Sequence, residues 1–395
     1  MTAHPRTAVH AAALFDGTGS ALLVDPVVVI EAGKIVAVTS GMASVPPDAE
    51  LVDLPGATLL PGLVDVHVHL ALDGGPDPVG TLAGQDDAAV REAMIAAGAA
   101  QLAAGVTTVR DLGDRGYLSL GLPTGSPTVV ASGPPITIAG GHCHFLGGVA
   151  SGVDGVRAAV REHVDRGVAV IKVIASGGNL TPGSDPCRAQ FTPDELTALV
   201  AEAHRHGLPV TAHAHGYPAI VDAVAAGVDG LEHCTFLTPD GVVAPDDLLA
   251  TIVAQRIAVS ATLGLVRSPA SGPPTPKILV RSMPAIVRTH RRLIADGAVF
   301  VVGTDAGVAP VKPHGVLPHG LLQLGRFGMS PAEALRCGTS TAAQVCGLGD
   351  RKGRIAPGFD ADLLAVDGDP LADLTALHRP VAVLVAGRQV STRSW

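Results

Sequence analysis

The sequence predicts an α/β protein, a (β/α)8 barrel carrying a small composite β-sandwich domain built from both chain ends. Three observations predict it. Apolar, strand-like runs alternate with Ala-rich helical stretches through roughly 250 to 300 residues in the middle of the chain, the size of such a barrel. Both flanks instead read as short strands and turns. Polar residues fall at or near the carboxyl ends of many different predicted strands, whereas an open doubly wound sheet would gather them at one switch point.

The first flank, about Ala8 to Leu59, holds strands at Ala11 to Phe15, Val27 to Glu31, Lys34 to Val38 and Leu51 to Asp53, with a turn at Ala32-Gly33. The run Leu60 to Leu70 then reads as one buried parallel strand, apolar except for Asp65, His67 and His69. A helix near Asp86 to Ala104 leads to a strand at Val106 to Asp111, and a strand near Thr128 to Ser132 precedes a Gly- and His-rich loop. A helix at Val153 to Arg166 feeds the strand Ala169 to Ala175. Thr192 and Glu195 form a capping box that opens a helix running to His206. The strand Pro209 to His215, a helix to Ala226, the strand Gly230 to His233, a helix near Asp246 to Gln255 and the strand Ile257 to Thr262 follow. A last helix to Asp296 precedes the strand Ala298 to Thr304. From about Gly353 strand-and-turn texture returns, with Ala361 to Val366 and Val381 to Ala386 before the turn Gly387-Arg388. The expected domains are therefore 1–59 plus 353–395, and 60–352.

Composition narrows the function. The chain has 395 residues, enough for one large domain and a smaller one. With 27 Lys and Arg against 36 Asp and Glu and no basic run, it lacks the electrostatic footprint of a nucleic-acid binder. The start Met-Thr-Ala-His-Pro-Arg is unlike a signal peptide, and no uncharged apolar run approaches the about 18 residues of a membrane helix. The five cysteines (Cys143, Cys187, Cys234, Cys337, Cys346) are scattered, suggesting neither a disulfide framework nor a zinc knuckle. A soluble protein of a reducing cytoplasm, acting on a small molecule and compatible with a homo-oligomer, is expected. At 3% aromatic content, the core must be filled by Val, Leu, Ile and Ala.

Six positions carry the chemistry: His67, His69, Lys172, His213, His233 and Asp305. A strand has period two, so His67 and His69 point the same way, and two imidazoles on one face of a buried strand are costly unless something binds them. Lys172 lies in Val168-Ala-Val-Ile-Lys-Val-Ile-Ala175, where a free ammonium meets a large desolvation cost. A neutral buried lysine can add carbon dioxide to become a carbamate able to bridge two cations. Singly, a strand-end histidine is more often a satisfied core residue, and a buried lysine usually snorkels. Jointly, four histidines, a buried lysine and an aspartate fit two divalent ions, with zinc, manganese or iron suited to the donors.

These residues stand in Pro61-Gly-Leu-Val-Asp-Val-His-Val-His69, Ile171-Lys-Val-Ile-Ala-Ser-Gly-Gly178, Thr211-Ala-His-Ala-His-Gly216, Leu231-Glu-His-Cys234 and Gly303-Thr-Asp-Ala-Gly307, followed by Gly353-Arg-Ile-Ala-Pro-Gly-Phe-Asp-Ala-Asp-Leu363. In that order the chain resembles the amidohydrolase superfamily, and within it the prolidase-like and imidazolonepropionase-like binuclear hydrolases. The resemblance implies the barrel with a composite β domain. It implies that His67, His69 and Asp305 hold one metal, zinc foremost, that His213 and His233 hold a second, and that carboxylated Lys172 bridges them. His215 is then a neighbour of the ligands or a substrate contact. The implied reaction is attack of a metal-bridging hydroxide on an amide carbonyl, of peptide or N-acyl amino acid type, with Asp305 as proton shuttle. The oxyanion would be stabilised by the second metal, with Tyr217 or His142 as further candidates. His142 and His144, in Gly140-Gly-His-Cys-His-Phe-Leu-Gly-Gly148, are candidate substrate contacts together with His215 and Tyr217. Cys234 is expected to point out of the barrel as a core thiol.

A lactonase or phosphotriester hydrolase would use the same metals. A mononuclear deaminase shares the His-x-His strand but needs a Glu close after the fifth-strand histidine, where this chain reads His213-Ala-His-Gly. A non-enzymatic scaffold predicts lost ligands, and none is lost. Arg110 reads as either a residue of the mouth or an ion-pair partner, and His314 and His319 as mouth or loop residues. Arg267, Lys277 and Arg281 flank Ser268 to Pro276, read as a lid or a solvated connection.

Overall fold

Glycine 62 divides what the sequence presents as one strand. The computed structural model describes residues 6–270, 275 and 277–392. In it Leu60 and Pro61 end a long strand, β5 (Ala49–Pro61), and a new one, β6 (Leu63–Val68), starts just beyond them. A Cβ at Gly62 would stand 2.1 Å from Thr107 Oγ1, so the crossing admits only glycine. The apolar run hid this break because both strands are buried.

Strands β1 (Arg6–Leu14), β2 (Leu23–Val24), β3 (Pro26–Glu31), β4 (Lys34–Ser40) and β5 come from the first flank. They share a single eight-stranded sheet with β15 (Leu363–Asp367), β16 (Pro380–Val385) and β17 (Arg388–Thr392), in the order β17-β16-β15-β5-β1-β3-β4, with β2 on β1. Leu60 pairs with Leu364, so the two flanks are joined at the centre of the sheet. Its far edge curls back, with Ile35 N donating to Phe359 O at 2.9 Å and Gly358 N to Ile35 O at 2.8 Å. Val9, Ile30, Ile35, Leu59, Leu363 and Leu384 fill the core between. The turn expected at Gly387 leads into β17, which was not expected; Ala386 and Gly387 both have positive φ, as a tight hairpin turn requires.

The middle of the chain alternates strand and helix as predicted. The strands are β6, β7 (Val106–Asp111), β8 (Thr128–Ala131), β9 (Ile171–Ile174), β10 (Val210–Gly216), β11 (Gly230–Thr238), β13 (Ala258–Thr262) and β14 (Phe300–Gly303), with a short β12 (Gly241–Val242) hairpinned onto β11. They form two parallel sheets, β6-β7-β8 and β9-β10-β11-β13-β14. Single bridges link the ends of these sheets, Ile136 to Val173 and Val68 to Ala306. The helices are α1 (Pro78–Ala83), α2 (Asp87–Ala103), α3 (Gly152–Arg166), α4 (Pro193–Arg205), α5 (Tyr217–Ala226), α6 (Asp246–Ala254) and α7 (Lys277–Ala295). The capping box of Thr192 and Glu195 opens α4 as expected. Three short helices, α8 (Leu317–Leu324), α9 (Pro331–Cys337) and α10 (Ser340–Val345), occupy a stretch in which the sequence suggested no element, and His319, read as a mouth or loop residue, lies in α8.

The strands and helices share one large aliphatic core, in which Val109, Val173, Ala212, Leu231, Val259 and Val302 are buried with helix residues such as Met94, Leu199 and Ile220. All five cysteines are buried and free. No described helix is long and apolar enough to cross a membrane. Much of Ser268 to Pro276, read as a lid or connection, lies outside the described residues.

Candidate metal centre

Period two carries His67 and His69 to the carboxyl end of β6, both buried. There the chain of β14 crosses to meet them, with Thr304 N and Asp305 N donating to His67 O at 3.2 and 2.7 Å. Asp65 fastens the crossing: its carboxylate accepts from Thr304 Oγ1 at 2.6 Å and Thr304 N at 3.0 Å. Asp305 Oδ1 therefore lies 3.5 Å from His67 Nε2 and 3.3 Å from His69 Nε2. These three atoms lie within 4.8 Å of one another.

The other nitrogen of each ring is committed. His67 Nδ1 donates to Glu232 Oε2 at 2.9 Å, and His69 Nδ1 to Gly113 O at 3.1 Å. With Nδ1 of each ring donating elsewhere, each Nε2 is turned toward Asp305. Burial pushes His67 down to about 4, so the ring is neutral at ordinary pH. Burial opposes the charge of Asp305, yet the surrounding His67, His69 and Lys312 outweigh it and hold its carboxyl well below the usual range. Two lone pairs and a carboxylate facing one another are a cation site.

A second group forms at β10 and β11, where His213, His215 and His233 bring one nitrogen each within 4.8 Å of one another. His213 Nδ1 and His233 Nε2 are 3.0 Å apart, and His215 stacks on His233 with centroids at 4.3 Å. Thr235 donates to His215 O at 3.1 Å, so its oxygen accepts from His215 Nδ1 at 2.9 Å and leaves Nε2 unprotonated. His213 Nε2 donates to Gly177 O at 3.1 Å, freeing Nδ1. His215, expected only beside the ligands, is therefore as well placed as its two partners. Burial holds His213 and His233 well below the ordinary value and His215 at about 4.

His233 reaches this group against the strand pattern. Glu232 already points inward, bonding Thr211 Oγ1 at 2.6 Å and Arg110 Nη2 at 2.9 Å, so strict alternation would send His233 outward. Positive φ values at His233 (67°) and Cys234 (50°) break the alternation. Asp305 is also left-handed at 60°. Such conformations cost about 1 to 3 kcal/mol each in non-glycine residues and collect at functional sites.

Lys172 is fully buried in β9, and its Nζ has no hydrogen-bond partner. Desolvation brings the ammonium down to about 8, so a neutral amine is accessible. An orphaned buried amine is the observation that a carbamate and its cations would explain. The donors present fit divalent ions.

His142 is buried 4.7 Å from His213 between ring centroids, its Nδ1 lacks a partner, and burial pushes it down to about 3. Gly178 makes the room, because a Cβ there would stand 2.5 Å from His142 Nε2. Tyr217 starts α5 directly after β10, half-buried. His144 is exposed and bonds Gly141 O within its own turn, so it does not join the group. Arg110 proves to be an ion-pair residue, held by Glu232 and by Val66 O. His314 bonds Leu72 O, His319 packs at a tilt against His378, and Arg281 bonds Pro239 O. Cys234 is buried in the main core, where burial pushes its thiol up. Sequence reasoning missed Glu232 as the partner of His67. It also missed Lys312, whose Nζ donates to Thr304 O at 2.7 Å and Thr262 O at 3.1 Å and so ties the end of β13 to the end of β14, which leads into Asp305.

Parallel strands that carry a three-histidine cluster and a cluster of two histidines and an aspartate at their carboxyl ends define an α/β protein with candidate cation sites. The chain belongs to the amidohydrolase family, whose model matches residues 58–390. It is similar to ochratoxinase of Aspergillus niger, 29% identical over an aligned length of 360, with 82% of this chain and 73% of that protein covered. Imidazolonepropionase of Cereibacter sphaeroides is 26% identical over 400 residues, 93% of this chain and 94% of that one. Among solved structures, a Xaa-Pro dipeptidase with methionine bound in its active site superposes with a TM-score of 0.85 at 26% identity, covering 97% of this chain and 99% of that one. A prolidase complexed with N-methylphosphonate-L-proline gives 0.84 at 26% identity, covering 98% and 100%.

Proposed function

We propose that this amidohydrolase cleaves an amide bond of a small molecule, a dipeptide or an N-acyl amino acid, using two divalent cations. The convergence of Asp305 Oδ1 with the unprotonated Nε2 atoms of His67 and His69 carries this reading. His67, His69 and Asp305 would hold one ion, with zinc foremost, and His213, His233 and His215 the other, with carboxylated Lys172 common to both. When bound, the cations supply Lewis-acid activation of water and of the substrate carbonyl.

The chain's own groups do the rest. Asp305, ionised and at the mouth of its cluster, takes a proton from the attacking water and delivers it to the leaving nitrogen. His142, whose buried Nδ1 lacks a partner, and the Tyr217 hydroxyl would contact the substrate and the developing oxyanion.

This reading takes the two parallel sheets as one (β/α)8 barrel, a view supported by the bridges at Ile136 and Val68. The domain reading of 1–59 with 353–395 as one composite β unit and 60–352 as the barrel is supported, within the described residues, by the pairing of Leu60 with Leu364. The similarity to proteins named as a prolidase, a Xaa-Pro dipeptidase and ochratoxinase supports amide substrates. The test is hydrolysis by zinc-loaded protein of a panel of dipeptides, N-acyl amino acids, lactones and aryl phosphotriesters. Turnover confined to the lactones or phosphotriesters would overturn the amide assignment.

A further inference from the structure

We infer that Glu232, held by Arg110, is a positioning residue that makes His67 a metal ligand by fixing its tautomer; this rests on the two-cation reading. Glu232 is wholly buried and its two oxygens have divided duties. Oε1 accepts from Arg110 Nη2 at 2.9 Å and from Thr211 Oγ1 at 2.6 Å, which leaves Oε2 to face His67 Nδ1 at 2.9 Å. A carboxylate accepts and cannot donate, so Nδ1 must carry the proton and Nε2 must present its lone pair to Asp305. His69 relies on a backbone carbonyl for the same purpose and His215 on a threonine, so His67 is the histidine whose tautomer depends on a buried charge.

Arg110 stabilises that charge and is itself pinned by Val66 O at 2.8 Å, on the strand that carries His67. Arg110, Glu232 and His67 thus sit on β7, β11 and β6, and the bond from His67 to Glu232 spans 165 residues of sequence. A purely structural ion pair would need no free oxygen aimed at an imidazole. Nor is the pair a strong source of stability, since buried ion pairs often break even against apolar replacements.

Glu232→Gln inverts the instruction. Oε1 of the amide must still accept from Arg110 and Thr211, so its NH2 group faces His67 Nδ1 and drives the proton to Nε2. The expected result is cation affinity at the His67 site about 10- to 100-fold weaker, with the second ion retained, by zinc titration and metal analysis of the purified protein. Arg110→Met/Glu232→Leu keeps the space filled without charge, and the same selective weakening is expected even if Glu232→Gln does not fold. On the wild-type metal-free protein, 15N chemical shifts of labelled histidine should show His67 protonated at Nδ1. Two ions bound at wild-type affinity by either folded variant, or a wild-type His67 protonated at Nε2, would overturn the inference. Wild-type protein that binds no divalent ion would instead overturn the two-cation reading.

Discussion

Asp305 Oδ1 lies 3.3 Å from His69 Nε2, and the tautomer of His69 is set by the carbonyl of Gly113. Two acceptors that close repel each other unless a cation or a proton lies between them. Divalent ions should therefore displace protons on binding. Calorimetric titration of metal-free protein with zinc in buffers of different ionisation enthalpy is expected to show net proton release, and the loaded protein to melt higher. Asp305→Asn should lower kcat by at least about 100-fold, the scale of a lost general acid and base.

Lys172 offers a buried amine with no protein partner. Lys172→Ala is expected to lose at least one of the two ions and most of the activity. Short carboxylates such as acetate or propionate, added with metal, should restore part of it by supplying the missing anionic oxygens. Rescue by chloride at equal ionic strength would contradict this.

His215 and His144 make a contrasting pair. The first is buried and stacked on His233, the second is exposed and bonded within its own turn. His215→Ala should weaken binding of the second cation by about 10-fold or more. His144→Ala should keep both ions and stay within about two-fold of wild-type kcat, as surface substitutions usually do. Metal analysis and steady-state kinetics on the two variants decide the matter.

A Cβ at Gly303 would stand 2.3 Å from His67 Cβ and 2.9 Å from Ser260 Oγ. Gly303→Ala must push His67 aside, at a cost of about 1 to 3 kcal/mol for an overfilled core. Both a lower melting temperature and weaker metal retention against a chelator are expected. A change in melting temperature alone would mean that the strand, not His67, had moved.

In the sheet of the chain ends, His10 is clasped by Asp25 and Asp53, each at 2.7 Å. Hydrogen bonds to these carboxylates raise its pKa above the ordinary 6.5. A raised histidine contributes stability that is complete below its unfolded-state pKa and is lost as pH rises through the folded one. Thermal melts of wild type against His10→Gln should therefore differ most below about pH 6.5 and converge as the pH climbs past neutrality.

Much of the site was legible because it obeys the strand period. His67 and His69 share a face, and the aspartate after Gly303-Thr304 falls where β14 ends. Three parts were hidden for physical reasons. Glu232 and His233 are neighbours that both reach the interior, which a period of two forbids until left-handed backbone at His233 and Cys234 is known. Lys312 lies in a loop seven positions past Asp305, and only the fold returns its ammonium to Thr304 O. His215 was ranked behind His213 by the resemblance alone, since the two share a strand face and differ in what Thr235 and Gly177 do to their rings.

Of the fold, the alternation of strand and helix was readable. The break at Gly62 was not, because burial on both sides of it leaves no polar residue as a marker. The helices α8 to α10 are each only 6 to 8 residues long, too short for a clear helical period against Pro- and Gly-rich surroundings.

The passage at Gly62 has a temporal side. The strand that leads into His67 pairs through Leu60 with Leu364, and Thr58 bonds Gly368 O across 310 residues. At a synthesis rate of about 5 to 20 residues per second, β5 waits tens of seconds on the ribosome for its neighbour. Through that interval the entry to the first ligand strand has an open edge, available to another chain as much as to its own. Assembly of the candidate metal site is thus expected to wait on synthesis of β15, with a slow, high-contact-order step at the sheet setting when its ligands first come together.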